Sequence, residues 1–317
     1  MTAAPTPGAP ALAAEPVRLT TAGWADYALV DSGGGRKLER YGPISVVRPE
    51  PQCLWRPRLP EAAWEAADAH FDPADEEDAG RWRTARVLPE SWPLTFGAAR
   101  FNARLTAFRH LGFFPEQAEN WAWLDARVAA AVGCGGEPPR VLNLFGYTGV
   151  ASLVCAAAGA AVTHVDASKK SVGWARDNAA LSGLGDRPVR WIVEDARRYV
   201  QREVRRGSRY EGVILDPPKY GRGPDGEVWR LFEDLPELAH ACAALLSPHA
   251  DFLLLNAYAA RINGLSLAHL LAEALPGRGG AIDWGELALA ESAPDPRAPP
   301  PREIGLSFFA RWRSDTA

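Results

Sequence analysis

Residues 141–166 read VLNLFGYTGVASLVCAAAGAAVTHVD, and the fold turns on how this stretch is interpreted. From Val141 to Val165 it holds no Asp, Glu, Lys or Arg, which is length enough to span a bilayer. Yet Asn143, Gly146, Thr148, Gly149, Gly159 and His164 interrupt it where a strand, a loop, a helix and a second strand would need polar or flexible residues. The expectation is a soluble βα unit, not a membrane span. Outward from it the same alternation runs to the end of the chain. Strands are expected at 141–144, 161–166, 189–193, 212–215, 252–256, 283–289 and 305–312. Helices are expected at 120–132, 150–158, 169–181, 196–206, 228–246 and 266–274. Short, wholly apolar strands between helices imply a parallel sheet covered on both faces. With no helix evident between the last two strands, one strand is expected to run antiparallel. The fold class is α/β, a doubly wound seven-stranded sheet.

The 317 residues allow a second domain, and 47% hydrophobic with 23% charged residues is ordinary for a globular chain. Residues 27–31, 37–41 and 44–48 read as strands separated by Ser32-Gly-Gly-Gly35 and Gly42-Pro43 turns. Further strands are expected at 82–88 and 101–106, with a short helix over 60–71. The segment 17–110 is therefore a smaller β-rich domain, assigned to substrate binding, and 111–317 is the α/β domain. Residues 1–16 hold four prolines and one charged side chain, Glu15, and lack the basic start of a leader. They read as a disordered tail. Cys53, Cys134, Cys155 and Cys242 are widely spaced with no C-x-x-C, so no metal is expected and a reducing cytoplasm is the simplest setting.

In sheets of this kind ligands bind beyond the carboxyl ends of the strands. After the first strand comes Asn143-Leu-Phe-Gly-Tyr-Thr-Gly149. Gly146 and Gly149 would let the backbone approach a ligand and the following helix would offer its amides, although a tight structural turn explains the glycines equally well. A dinucleotide site would want G-x-G-x-x-G, but Thr148 stands where the second glycine belongs, and no Gly-Lys-Ser/Thr follows. This excludes a dehydrogenase fingerprint and a P-loop. Asp166 ends the second strand, where a carboxylate can accept from a ribose diol. Asp195 follows the third and can accept from an adenine amine or cap a helix. Asp216-Pro-Pro-Lys-Tyr220 follows the fourth as a rigid, acceptor-rich loop. Together these four loops fit an adenosine without phosphate.

The order N-x-F-G-Y-T-G, Asp166, Asp195, D-P-P-K resembles class I S-adenosylmethionine-dependent methyltransferases. More closely it resembles the large-subunit ribosomal RNA methyltransferases, which modify cytosine C5 or guanine N7. Gly112-Phe-Phe-Pro-Glu-Gln-Ala-Glu-Asn120 is similar to the segment these enzymes place before the sheet to close over the cofactor. Asn178-Ala-Ala-Leu-Ser-Gly183 matches the family's N-A-x-x-N-G helix end imperfectly. The likeness covers about residues 113–275 and implies a Rossmann-like methyltransferase sheet with S-adenosyl-L-methionine as cofactor. The implied binding set is Phe114, Gln117, Asn143, Phe145, Gly146, Tyr147, Thr148, Gly149, Asp166, Ala167, Ser168, Asn178, Asp195, Ala196 and Asp216. Asp216, Pro217 and Lys219 are the implied catalytic residues.

Cytosine C5 becomes nucleophilic only after a thiolate adds to the ring. Neither 216–226 nor Asn256-Ala-Tyr-Ala-Ala-Arg261, where the family carries that cysteine, contains one. A nitrogen target is therefore favoured, since alignment of a lone pair with the activated methyl suffices. Residues 221–226 read as a flexible stretch over the target or as an ordinary loop. The partner expected is RNA, ribosomal RNA in particular, touched by Tyr220, Arg222, Arg100 and Arg104. Residues 81–115 carry six arginines against one acid, and 187–209 carry eight against three, on a chain of net charge −4. The plainer reading is that these arginines balance the eight acids of 61–80 and other surface carboxylates. That reading leaves a protein or small molecule as acceptor. A third possibility is an RNA-binding protein that keeps the cofactor pocket without turnover.

Overall fold

Period-two burial along four neighbouring strands shows how the main sheet is covered. In a computed structural model, which describes residues 8–74, 79–258, 261–292 and 300–315, seven strands form its centre. They are β1 (Arg140–Leu144), β2 (Ala161–Asp166), β3 (Val189–Val193), β4 (Gly212–Leu215), β5 (Phe252–Ala257), β6 (Ala281–Ala290) and β7 (Glu303–Arg313). The helices between and before them are α1 (Ala118–Gly133), α2 (Val150–Ala157), α3 (Lys169–Leu181), α4 (Ala196–Arg206), α5 (Leu231–Ala244) and α6 (Gly264–Ala274). Leu142, Leu144, Val213, Leu215, Leu253 and Leu255 belong to one core cluster with Leu235, Leu238, Leu267 and Leu271 of α5 and α6. The alternate residues Val141, Val162, Ile214 and Leu254 join Leu124 and Val128 of α1 and Cys155 of α2 in another. Both faces are thus buried, which is why apolar residues fill successive positions of these strands instead of alternating with polar ones.

The strand order is β3-β2-β1-β4-β5-β7-β6. The five from β3 to β5 are parallel and β7 runs antiparallel to β5. Order reverses between β1 and β4, the switch point where such sheets open a crevice. Leu144 lies opposite both Val165 and Leu215, and Asp166 opposite Val193, so the loops leaving β1 to β4 start from one edge.

Several expectations are corrected. The tail is ordered where it is described: Ala11–Leu12 pairs in parallel with Ala281 and Ile282, and Val17–Thr21 also joins β6, making nine strands among the described residues. Residues 1–7 lie outside the described residues. Val228–Arg230 is not the start of a helix but a strand paired with Tyr220–Arg222, because the Trp229 indole is buried and bonded to Pro218. Residues 221–226, read as a loop, therefore open a hairpin. The helix over 60–71 shrinks to Glu61–Glu65, and Ala69–Pro73 becomes a strand facing Gly80–Thr84. The strand expected at 101–106 is Ala99–Ala103, paired with Trp92–Phe96.

The chain divides into two units, Met1–Leu19 with Asn120–Leu287 and Ser307–Ala317, and Thr20–Glu119 with Ala288–Leu306. The boundary expected at 110/111 thus falls at Glu119, and the second unit also draws on the end of the chain. That unit holds a five-stranded sheet, Tyr27–Gly33, Arg36–Tyr41, Ile44–Pro49, Ala69–Pro73 and Gly80–Thr84, in sequence order. Fully buried Glu39 is its polar centre. Arg48 donates to its two oxygens at 2.7 Å each, and the phenols of Tyr27 and Tyr41 donate at 2.9 and 3.0 Å. Against desolvation, which would raise it, the charges of Arg48 and Lys37 and the hydrogen bonds from Arg48 and Tyr27 hold the Glu39 carboxyl down at about 2.

Candidate functional site

The loop between β1 and α2 adopts backbone angles that few side chains tolerate. Phe145 and Tyr147 sit at φ 56° and 51°, and Gly149 at 88°. Left-handed non-glycine residues cost of order 1–3 kcal/mol each and persist where the surroundings impose them. Here the surroundings are visible. Tyr147 N–H donates to Asp166 Oδ2 at 2.9 Å, and Asn178 Nδ2 of α3 donates to the Thr148 carbonyl at 2.9 Å. Gly146 N–H donates to the Val165 carbonyl at 3.0 Å. Gly149 ends the loop as the N-cap of α2 and offers no side-chain cap, so the first amides of that helix keep their donor capacity at the carboxyl edge.

Each glycine has an internal reason. A Cβ on Gly146 would stand 2.5 Å from the His164 ring, and one on Gly149 would stand 2.9 Å from the Ala175 Cβ. The close neighbours are therefore side chains of β2 and α3.

Asp166 closes β2. Its Oδ1 accepts from Ser168 N–H at 2.8 Å, complementing the Tyr147 bond on Oδ2. Burial pushes this carboxyl up, and the two amides pull it partly back. Each oxygen retains a lone pair for a further donor. Burial, with the Asp166 charge nearby, also pushes the Tyr147 phenol up to about 12. Ala167 is half-buried, and Ser168 caps α3 through its hydroxyl, which accepts from Ser171 N–H at 3.2 Å. At the end of β3, Asp195 caps α4, accepting from Arg198 N–H at 3.1 Å, and buried Ala196 follows it. The helix-cap role of Asp195 is thus real, and it leaves lone pairs over.

Asp216 and buried Pro217 leave β4. Trp229 Nε1 donates to the Pro218 carbonyl at 2.6 Å, and Leu231 N–H to the Lys219 carbonyl at 3.1 Å, so the D-P-P-K loop is pinned by the hairpin that follows it. The Trp229 ring packs 5.0 Å from the Phe145 ring, which ties this loop to the one after β1. Lys219, Tyr220 and Arg222 are exposed on the hairpin side.

The structure brings together Phe145 to Gly149, Asp166 to Ser168, Asp195, Ala196 and Asp216 to Tyr220 along one sheet edge. Asn143 departs from expectation: it is buried, and its Nδ2 donates to Ser152 Oγ at 2.8 Å inside the unit rather than toward the crevice. Buried Asn178 likewise acts on the loop. Phe114, Gln117, Arg100 and Arg104 belong to the other unit. There Phe114 packs 4.7 Å from His110, Gln117 is buried, and Arg104 N–H donates to the Leu111 carbonyl at 3.1 Å. Sequence reasoning missed Trp229, whose neighbourhood reads as a helix start, and His164, which appears only as a polar break in an apolar run. Ala259 and Ala260, in the segment after β5 searched for a cysteine, lie outside the described residues.

Cys155 and Cys242 are buried within α2 and α5, and burial pushes both thiols up, Cys155 to about 12. Exposed Cys134 follows α1 and precedes β1, at the opposite edge of the sheet from the loops described above. Cys53 is buried in the other unit.

Among known proteins, the pattern of the S-adenosylmethionine-dependent methyltransferases matches residues 62–261. The SAM-dependent methyltransferase from Agrobacterium tumefaciens is 49% identical, with a TM-score of 0.91 over 98% of this chain and 96% of that one. A Streptococcus mutans protein described as a SAM-dependent methyltransferase shares the fold at 17% identity and a TM-score of 0.66, over 91% of this chain and 75% of that one. The ribosomal RNA large subunit methyltransferase K/L of Shewanella frigidimarina is 32% identical over 177 residues, 55% of this chain and 23% of that protein. The chain thus spans about a quarter of that relative. Among the described residues no helix is long and apolar enough to cross a membrane. By the match over residues 62–261 and the close agreement with the Agrobacterium enzyme, the chain belongs to the S-adenosylmethionine-dependent methyltransferase family.

Proposed function

We propose that the protein moves the methyl group of S-adenosylmethionine to a nitrogen of an RNA base, with ribosomal RNA as the substrate and the cytoplasm as its place of action. The residues present suit the cofactor. Asp166, with lone pairs left on both oxygens, would hold a ribose diol, Asp195 an exocyclic adenine amine, and the uncapped start of α2 the methionine carboxylate. When bound, the sulfonium supplies a methyl already activated for transfer.

The observation that carries the nitrogen target is the D-P-P-K loop, pinned by Trp229 and Leu231 at the switch point, together with the burial of Cys155 and Cys242 within α2 and α5 and the place of Cys134 before β1. Asp216 or the Pro217 carbonyl can accept from the target N–H and align its lone pair, and Lys219 and Tyr220 can meet a phosphate or stack a neighbouring base. The likeness to the Shewanella ribosomal RNA methyltransferase supports ribosomal RNA as the class of acceptor.

One observation favours a second reading. Arg83 and Arg86 pair with Asp72 and Asp68 at 2.7 Å each, and Arg197 pairs with Asp234 at 2.6 Å. Arg198, Arg202 and Arg206 pair with Asp225, Glu194 and Glu203. Much of the arginine surplus is therefore neutralised, as a protein or small-molecule acceptor would permit. Methyl incorporation from labelled S-adenosylmethionine into ribosomal RNA of a deletion strain, followed by nucleoside mass spectrometry, separates the two. An N-methylated base is expected. C5-methylcytosine, or label that enters only protein or small molecules, would overturn the proposal.

A further inference from the structure

Behind the strained loop lies a polar chain that the methyl-transfer reading does not use. His164 and Asp166 are two apart on β2 and so share a face. Asn143 Nδ2 donates to Ser152 Oγ at 2.8 Å, and Ser152 Oγ lies 3.0 Å from His164 Nδ1. A Ser152 hydroxyl that accepts from Asn143 and donates to Nδ1 leaves the ring proton on Nε2, whereas one that accepts from both leaves it on Nδ1. Burial pushes the imidazole down to about 3, so the ring is neutral. Nε2 is buried without a hydrogen-bond partner, and the Tyr147 backbone lies close enough to the ring to favour its protonated form against the burial. Buried donors without an acceptor are rare in native proteins and ask for a reason.

We propose that His164 is a positioning residue of the cofactor loop, its Nε2–H taking up the Tyr147 carbonyl when the cofactor is bound. Asp166 already holds the N–H of the same residue at 2.9 Å. The two side chains of β2 would then hold the N–H and the C=O on either side of a Cα in the left-handed region, where nothing in Tyr147 itself favours it. The Trp191 ring, 5.0 Å from the imidazole, fixes the ring from one side, and Gly146 leaves it room on another. Ser152, on the first turn of α2, couples the clamp to the helix end that faces the crevice.

The inference rests on the cofactor placement given above, and the test keeps the two apart. In the full chain labelled with 15N-histidine, with His164 identified by comparison with His164→Gln, the free protein should show a neutral Nε2–H tautomer. Its Nε2 signal should move on adding S-adenosylhomocysteine. By calorimetry His164→Leu should weaken cofactor binding about tenfold, and His164→Gln, which keeps a donor near Nε2, by less than about threefold. An Nδ1–H tautomer, or an Nε2 signal indifferent to the cofactor, would overturn the inference even if His164→Leu fails to fold. If Asp166→Ala loses affinity and His164→Leu binds as the parent does, only the clamp is wrong. If neither loses affinity, the cofactor placement itself falls.

Discussion

At the level of single residues, the glycine loop carries the sharpest consequences. Sequence reading treats Gly146 as a place where backbone approaches a ligand, yet the first atom a Cβ would meet is the His164 ring at 2.5 Å. Gly146→Ala should therefore cost roughly 1–3 kcal/mol through overpacking. His164→Ala in the same chain should relieve part of that cost, so the pair should be non-additive by about 0.5–3 kcal/mol in urea unfolding. Additive effects would mean the loop simply moves aside. Asp166 makes the second prediction. Removing a buried partner of a charge-assisted hydrogen bond costs roughly 1.5–3 kcal/mol, so Asp166→Ala should weaken S-adenosylmethionine binding about 10- to 150-fold by calorimetry. Unchanged affinity would remove Asp166 from the site. Asp166 was legible in the sequence because it ends an apolar strand; His164 and Ser152 were not, because their partnership is set by the packing of α2 on β2 rather than by spacing.

Elements divide by the strength of their local signal. Strands β2, β3 and β4 and helices α3 and α4 fall where the pattern places them, because short apolar runs there alternate with polar-ended helical stretches. In the β-rich unit Tyr27–Gly33, Arg36–Tyr41 and Ile44–Pro49 lie where the turn signals put them, whereas Ala69–Pro73 and Gly80–Thr84 were not legible, because their pairings are set by long-range contacts such as Val46 opposite Ala69. Its core charge pair gives a pH prediction. The Glu39 carboxyl is held at about 2 in the folded chain, below its ordinary value near 4.5. Its contribution to stability is then fully present above about pH 4.5 and is lost as pH falls toward 2. Glu39→Gln strands Arg48, and should cost roughly 3–5 kcal/mol at neutral pH and much less near pH 3. Amide exchange along Ile44–Pro49 reads this locally, and an equal effect at both pH values would refute it. The amino-terminal segment is another element missed, since two paired residues carry no pattern. Ala11 N–H and Ala13 N–H donate to Gly280 and Ile282 at 2.8 and 2.9 Å, and the Trp284 indole donates to Ala13 at 2.9 Å. Deleting residues 1–13 should cost about 1.5–4 kcal/mol and expose the outer edge of β6 to exchange. Wild-type protection in β6 would show that the segment contributes nothing.

Across the whole molecule, charge counting and charge placement lead to different expectations for the acceptor. The counts in 81–115 and 187–209 make an acidic protein look locally basic, but counts are blind to pairing across strands and hairpins. Arg83 and Arg86 answer acids of 61–80, as the plainer reading had it, and Arg198 answers Asp225 and Glu227 of the hairpin after the D-P-P-K loop. Such arginines exchange one carboxylate for one phosphate if they bind RNA at all, and gain little. The steepness with which RNA affinity falls with salt counts the phosphates engaged, at about 0.7 per contact on logarithmic axes for a single strand. If Arg100 and Arg104 touch RNA, replacing both with Gln should lower affinity and flatten that slope by about 1.4. Single-stranded or looped RNA is the substrate to use, because a base must leave its stack to reach a pocket at a sheet edge. A slope flat from the outset, with Arg100 and Arg104 dispensable for methyl transfer, would reject RNA and leave the protein or small-molecule acceptor.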